Sequence, residues 1–176
     1  MNTPFRFASI TALALCRVAC SSTEPLKAVD EVDLDRFMGD WYVIANIPTR
    51  IEVGAHNAVE TYRLDQDGTI ATTFTFNKGT YDGELKTYNP RGFVSDESNA
   101  IWGMQFIWPI KADYRIIYLD DQYTTTVIGR EKRDYVWIMA RQPQLPEQDY
   151  SSLLEMLASV GYEIDKVQKV PQRWPN

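Results

Sequence analysis

The chain has 176 residues and a formal net charge of −6. The length fits one domain, and the charge argues against a nucleic-acid-binding surface, where a basic stripe is expected. Both cysteines, Cys16 and Cys20, fall among the first 20 residues, so the remaining chain has no disulfide, no cysteine nucleophile and no thiolate metal site.

Residues 1–20 read as an export leader. Arg6 gives a positive start, and residues 7–16 form an apolar run too short to cross a bilayer as a helix. Val18-Ala19-Cys20-Ser21-Ser22 resembles a bacterial lipobox, although Arg17 stands where that pattern has Leu. The resemblance implies that Cys20 carries a lipid, and Ser21 implies sorting to the outer membrane, facing the periplasm. A plain secretory leader and a soluble periplasmic or secreted product remain the alternative. Residues 21–32 read as a polar tether.

A helical turn at 34–38 precedes Gly39, and Trp41 opens a strand. From there the chain is a series of short β-patterned runs divided by turn chemistry. They are 41–47, 57–64, 69–76, 81–88, 100–107, 114–119, 123–129 and 135–141. Pro48, Asp67-Gly68, Asn77-Lys78-Gly79, Asn89-Pro90 with a polar loop at 91–99, Pro109, Asp120-Asp121-Gln122 and a charged turn at 130–134 separate them. Eight strands in simple succession predict an all-β fold, an eight-stranded antiparallel up-and-down barrel spanning 33–170. A helix at 147–160 comes next, with Tyr150, Leu153, Leu154, Leu157 and Val160 on one face to pack outside the barrel. Gly161 ends it. Residues 164–170 add an edge strand, and 171–176 form a tail.

Alternating strand directions bring Arg141, at the end of the eighth strand, to the end where Trp41 begins the first. A guanidinium laid on an indole gains about 0.5–2 kcal/mol and can donate to nearby carbonyls. The turn at 34–38 plugs that end, and Asp120 lies there too. The other end, with loops 48–56, 77–80, 108–113 and 130–134, is the expected mouth.

These residues carry a family resemblance. Gly39-Asp40-Trp41-Tyr42 resembles the Gly-x-Trp motif of lipocalins, Leu119-Asp120-Asp121-Gln122-Tyr123 their second motif, and Trp137-Ile138-Met139-Ala140-Arg141 the third, whose Arg covers the Trp. The chain is most similar to the bacterial outer-membrane lipoprotein branch, which is apolipoprotein D-like. The resemblance implies a lipid partner, a fatty acid or lysophospholipid, held for envelope maintenance. It also implies attachment to the membrane through the N-terminal anchor, and it leaves a homodimer open.

Strand alternation assigns the interior. Trp41, Val43 and Ala45 face in on the first strand, and Glu60 and Tyr62 on the second. The third contributes Thr72, Phe74 and Phe76, the fifth Trp102, Met104 and Phe106, the sixth Tyr114, Ile116 and Tyr118, and the last Tyr135, Trp137 and Met139. The expected ligand-lining set is Tyr62, Phe74, Trp102, Met104, Phe106, Tyr114, Ile116, Tyr135, Trp137 and Met139, an apolar wall with a few hydroxyls that suits an acyl chain. A barrel filled by its own aromatics is the alternative. Basic residues at the mouth, Arg50, Lys78, Lys111, Arg130, Lys132 and Arg133, are expected to steer anionic head groups. One histidine, His56, and no Ser-His-Asp set argue against an enzyme, and no cofactor or metal is expected. Two rival classes remain, an enzyme using Glu60 as a buried acid and a non-binding envelope scaffold.

Overall fold

Ten strands form one antiparallel sheet that closes on itself in the computed structural model, which describes residues 24–175. The leader and Cys20 lie outside the described residues. After α1 (Leu34–Phe37) come β1 (Gly39–Ile47), β2 (Ala55–Leu64), β3 (Thr69–Lys78), β4 (Leu85–Tyr88), β5 (Arg91–Val94), β6 (Ile101–Ile107), β7 (Ile110–Leu119), β8 (Thr125–Gly129) and β9 (Val136–Ala140). The chain ends with α2 (Glu147–Ser159), a 3-10 turn (Ile164–Lys166) and β10 (Gln168–Lys169).

β4 and β5 both pair with β3 and together make the fourth stave of an eight-stranded antiparallel barrel, closed by β1 against β9. This corrects two sequence expectations. Residues 81–84 turn rather than extend, and β5 occupies part of the expected loop at 91–99. Pro90 has no N–H for the ladder and splits the stave, while its carbonyl still accepts from Thr72 N at 3.1 Å. Arg91 then re-enters the sheet, held by Asp65 at 3.0 Å.

The base is closed as the motifs predict. The Arg141 guanidinium lies 3.8 Å from the centre of the Trp41 ring. Its N–H groups donate to the carbonyls of Asp40 (2.8 Å), Arg36 (2.8 Å), Phe37 (3.0 Å), Met38 (2.8 Å) and Tyr123 (3.3 Å). Trp41 Nε1 donates to the same Phe37 carbonyl at 2.8 Å. Gly39 is required here: its φ is +93°, and a Cβ would come within 3.4 Å of Arg141 Nη1. Asp120 folds the turn before β8 by accepting from Thr124 N (2.6 Å) and Thr125 N (2.9 Å).

Two alternation errors have one cause. Bulges sit between Val43 and Ala45 on β1 and between Ile116 and Tyr118 on β7. Each reverses the facing of the residues beyond it on its strand. Val43 and Ile116 face in as expected, whereas Ala45 and Tyr118 lie outside, in the cluster beneath α2. There Tyr150, Leu153 and Leu157 cover the outward Ile44, Val127, Val136 and Ile138. Leu154 and Val160 lie at the margin, and Gly161 takes φ +93° at the helix end.

Residues 24–32 do not behave as a free tether. Leu26 and Val32 are buried, because the segment runs along the wall from mouth to base. Leu26 N donates to Glu131 at 3.2 Å near the mouth, and Val32 N donates to Asn99 Oδ1 at 3.0 Å near the base. The expected edge strand at 164–170 shrinks to β10, and the tail packs, with Trp174 edge-on to Tyr42.

Candidate ligand-binding cavity

The lower half of the barrel is filled by its own rings. Phe37 contacts Trp41, Tyr62 and Trp102 with ring centres 5.1–5.7 Å apart. Trp102 stacks on Tyr114 at 5.0 Å and 4°, a geometry that adds to the burial of each ring. Above this layer the barrel is hollow. A cavity of about 360 Å³ opens toward loop 48–54 and the turn at 130–134, within the size range of small-molecule sites.

Six of the ten expected lining residues face this space: Phe74, Met104, Phe106, Tyr114, Tyr135 and Trp137. The other four, Tyr62, Trp102, Ile116 and Met139, are buried in the floor. The period-2 pattern sets which side of the wall a residue faces. It cannot say how high the filling rises, and that height is set by α1, whose Phe37 occupies space the strands alone would leave empty. Residues outside the expected set, Glu52, Ala112 and Pro90 among them, also line the cavity. Glu52 sits on a loop without periodicity, and Ala112 lies in the part of β7 beyond the expected strand.

Three acidic residues line the hollow; the Asp113 carboxylate is taken up by Arg115 at 3.1 Å and Glu131 N at 2.7 Å, which leaves Glu52 and Glu60. Glu52 is buried and accepts from Trp137 Nε1 (2.6 Å), Thr49 N (2.8 Å) and Asn46 Nδ2 (3.4 Å), so it latches the mouth loop to the barrel wall. Lys78 holds the same loop from outside, donating to Val53 O at 2.7 Å. Glu60 accepts from the Tyr62 hydroxyl, which is 2.7 Å from the Tyr114 hydroxyl. Burial pushes the Glu60 carboxyl from 4.5 up to about 7. The Tyr62 hydrogen bond opposes that rise, and the Glu52 charge adds to it. Burial also raises both phenols well above 10, so they stay neutral. With Glu60 ionised, the protons run Tyr114 to Tyr62 to Glu60. Protonating Glu60 lets the chain reverse and frees the Tyr114 hydroxyl to donate into the cavity.

The cations divide differently from the sequence expectation. Arg50 and Arg130 line the cavity. Arg133 instead donates to the carbonyls of Val160 (2.6 Å), Glu131 (2.8 Å) and Glu24 (2.6 Å). Arg130 pairs with Asp134 at 3.2 Å, yet its buried Nε has no partner among the described residues. His56 stacks edge-on against Tyr81 at 5.0 Å and is not part of the lining.

A closed barrel, a Trp–Arg base and one hollow end define a lipocalin. Residues 32–172 match the model of the lipocalin-like domain, and the chain belongs to that family. It is 35% identical over 171 residues to the outer membrane lipoprotein Blc of Citrobacter freundii, covering 94% of each chain. It is 32% identical to temperature-induced lipocalin-1 of Arabidopsis thaliana, covering 84% of this chain and 83% of that one. Among solved structures, lobster apocrustacyanin A1 superposes with a TM-score of 0.65 at 15% identity, over 81% of each chain.

Proposed function

We infer that this chain is a carrier, not an enzyme, that holds one acyl chain of a fatty acid or lysophospholipid in the barrel. It serves the outer membrane, where a lipid on Cys20 anchors it. The observation that carries this reading is the half-filled barrel: an apolar cavity with aromatic walls over a sealed aromatic floor. Each methylene buried there contributes about 0.8 kcal/mol. The polar features support a head group at the rim. Arg50 offers an anion a charge, and the unpartnered Arg130 Nε offers it a donor. A buried donor without an acceptor costs about 1–3 kcal/mol, which a carboxylate or phosphate oxygen would offset. The similarity to an outer membrane lipoprotein supports the location.

Mass spectrometry of lipids extracted from the purified protein tests the reading, with single-chain lipids expected at up to one per barrel. Ala112→Trp places an indole in the hollow and is expected to remove that lipid and weaken fatty-acid binding at least tenfold, roughly. Undiminished binding by a folded Ala112→Trp protein would place the ligand elsewhere.

A further inference from the structure

Eight large apolar side chains are exposed among the described residues, and seven of them sit at the mouth end. Single exposed apolar residues are ordinary, but a concentration of them at one end is not. Its summit is the β6–β7 hairpin, where Phe106 is 51% exposed, Ile107 72%, Trp108 82% and Ile110 68%. Phe106 also lines the cavity, so the exposed patch is continuous with the hollow. Arg50 and Lys132 stand at this same end with no hydrogen bond or ion pair among the described residues, whereas Lys78 and Arg133 are held by carbonyls and the Lys111 ammonium lies 3.6 Å from the centre of the Phe93 ring. The open end is thus the apolar end of the surface, with its cations set among Asp82, Glu84, Glu131 and Asp134.

The path of the chain adds an independent constraint. Glu24 is held beside the mouth, where its carbonyl accepts from Arg133 Nη2 at 2.6 Å. Cys20 is four residues earlier, so an anchor there can reach at most about 14 Å from that point. A lipid on Cys20 would therefore keep the mouth, not the base, against the bilayer.

We propose that the mouth rim is a membrane-docking surface, in which the Phe106–Ile110 hairpin tip dips into an anionic phospholipid surface and opens the cavity toward the lipid. This rests on the carrier reading for the use of the docked state and on the Cys20 anchor for its orientation. Interfacial Trp with flanking Lys and Arg is the side-chain set that such a surface retains. A second copy of the chain fits less well, because a two-fold contact between mouths would set Arg50 and Lys132 against their own duplicates.

The test uses the full chain, purified with its anchor and reconstituted into vesicles of phosphatidylethanolamine and phosphatidylglycerol. Quenching of tryptophan fluorescence by phospholipids brominated along the acyl chain reads depth. Trp41 and Trp102 are buried in the base, Trp174 packs against Tyr42 on β1 and Trp137 faces the cavity, whereas Trp108 is 82% exposed at the hairpin tip, so Trp108 is expected to supply most of the quenching, and Trp108→Tyr to remove at least half of it. Equal quenching in the variant overturns the proposal. So does a dimer without vesicles that shields Trp108 from aqueous quencher, which would assign the patch to a second copy. The measured mass reports on Cys20, and an unmodified Cys20 overturns the anchored orientation. Lipid recovered from the cavity is a separate readout, so docking and carriage fail independently.

Discussion

The two ends of the barrel are built from similar side chains to opposite purpose. At the base, Trp41, Phe37 and Trp102 are at most 1% exposed, and Arg141 distributes its donors over five backbone carbonyls. At the mouth, Trp108 is 82% exposed and a buried arginine donor has no partner among the described residues. The base packs its aromatic rings on one another, and the mouth leaves them facing outward. Stability belongs in the first region and binding in the second, and single substitutions should separate them.

The largest effect is expected at Arg141. Arg141→Ala removes the ring contact and orphans carbonyls at the end of α1, which should lower unfolding free energy by about 2–4 kcal/mol. Arg141→Lys keeps the charge but not the planar fork, and should recover less than half of the loss. Urea denaturation measures both. A loss under about 1 kcal/mol for the alanine variant would mean that the aromatic floor holds the base unaided.

Glu60 lies between the two regions and should show an intermediate effect with a definite sign. The unfolded chain releases this proton near 4.5 and the native fold near 7. Between those values the native state binds the extra proton. The stability that protonated Glu60 contributes is therefore full below about 4.5 and is lost as pH rises through 7. Glu60→Gln keeps a neutral group throughout, so it should match the parent near pH 5 and exceed it near pH 8 by about 1–3 kcal/mol. Parallel stability curves for parent and variant across that window would mean that water in the cavity solvates the carboxylate.

The contrast between the ends also explains what the sequence could tell. The base was legible because its parts are sequence-local or coupled by strand parity. Gly39 and Trp41 sit two residues apart, and alternating directions bring Arg141 to them. The facing of Phe74, Tyr114 and Trp137 came from period 2. Ala45 and Tyr118 were misplaced because a bulge adds one residue without a sequence mark. The height of the floor was illegible because Phe37 belongs to α1, which no strand pattern orients. The Glu52 latch was illegible too, since it joins an aperiodic loop to the Trp137 indole 85 residues away.

The smallest effect is expected at the rim. Arg133 is occupied by carbonyls and Arg130 by Asp134, so Arg50 is the lining cation without a hydrogen bond or ion pair among the described residues. It stands exposed at the entrance, where charges act mainly through encounter and are screened within about 10 Å at 0.1 M salt. Arg50→Glu should weaken binding of a fatty-acid anion roughly three- to tenfold at low salt, chiefly through slower association. The difference should shrink as salt rises, and a neutral monoacylglycerol should bind both proteins alike. Titration of the two ligands at two ionic strengths separates the cases. If the neutral lipid loses as much affinity as the anion, Arg50 acts by shaping loop 48–54, and the head-group charge is met deeper in the barrel, at Arg130.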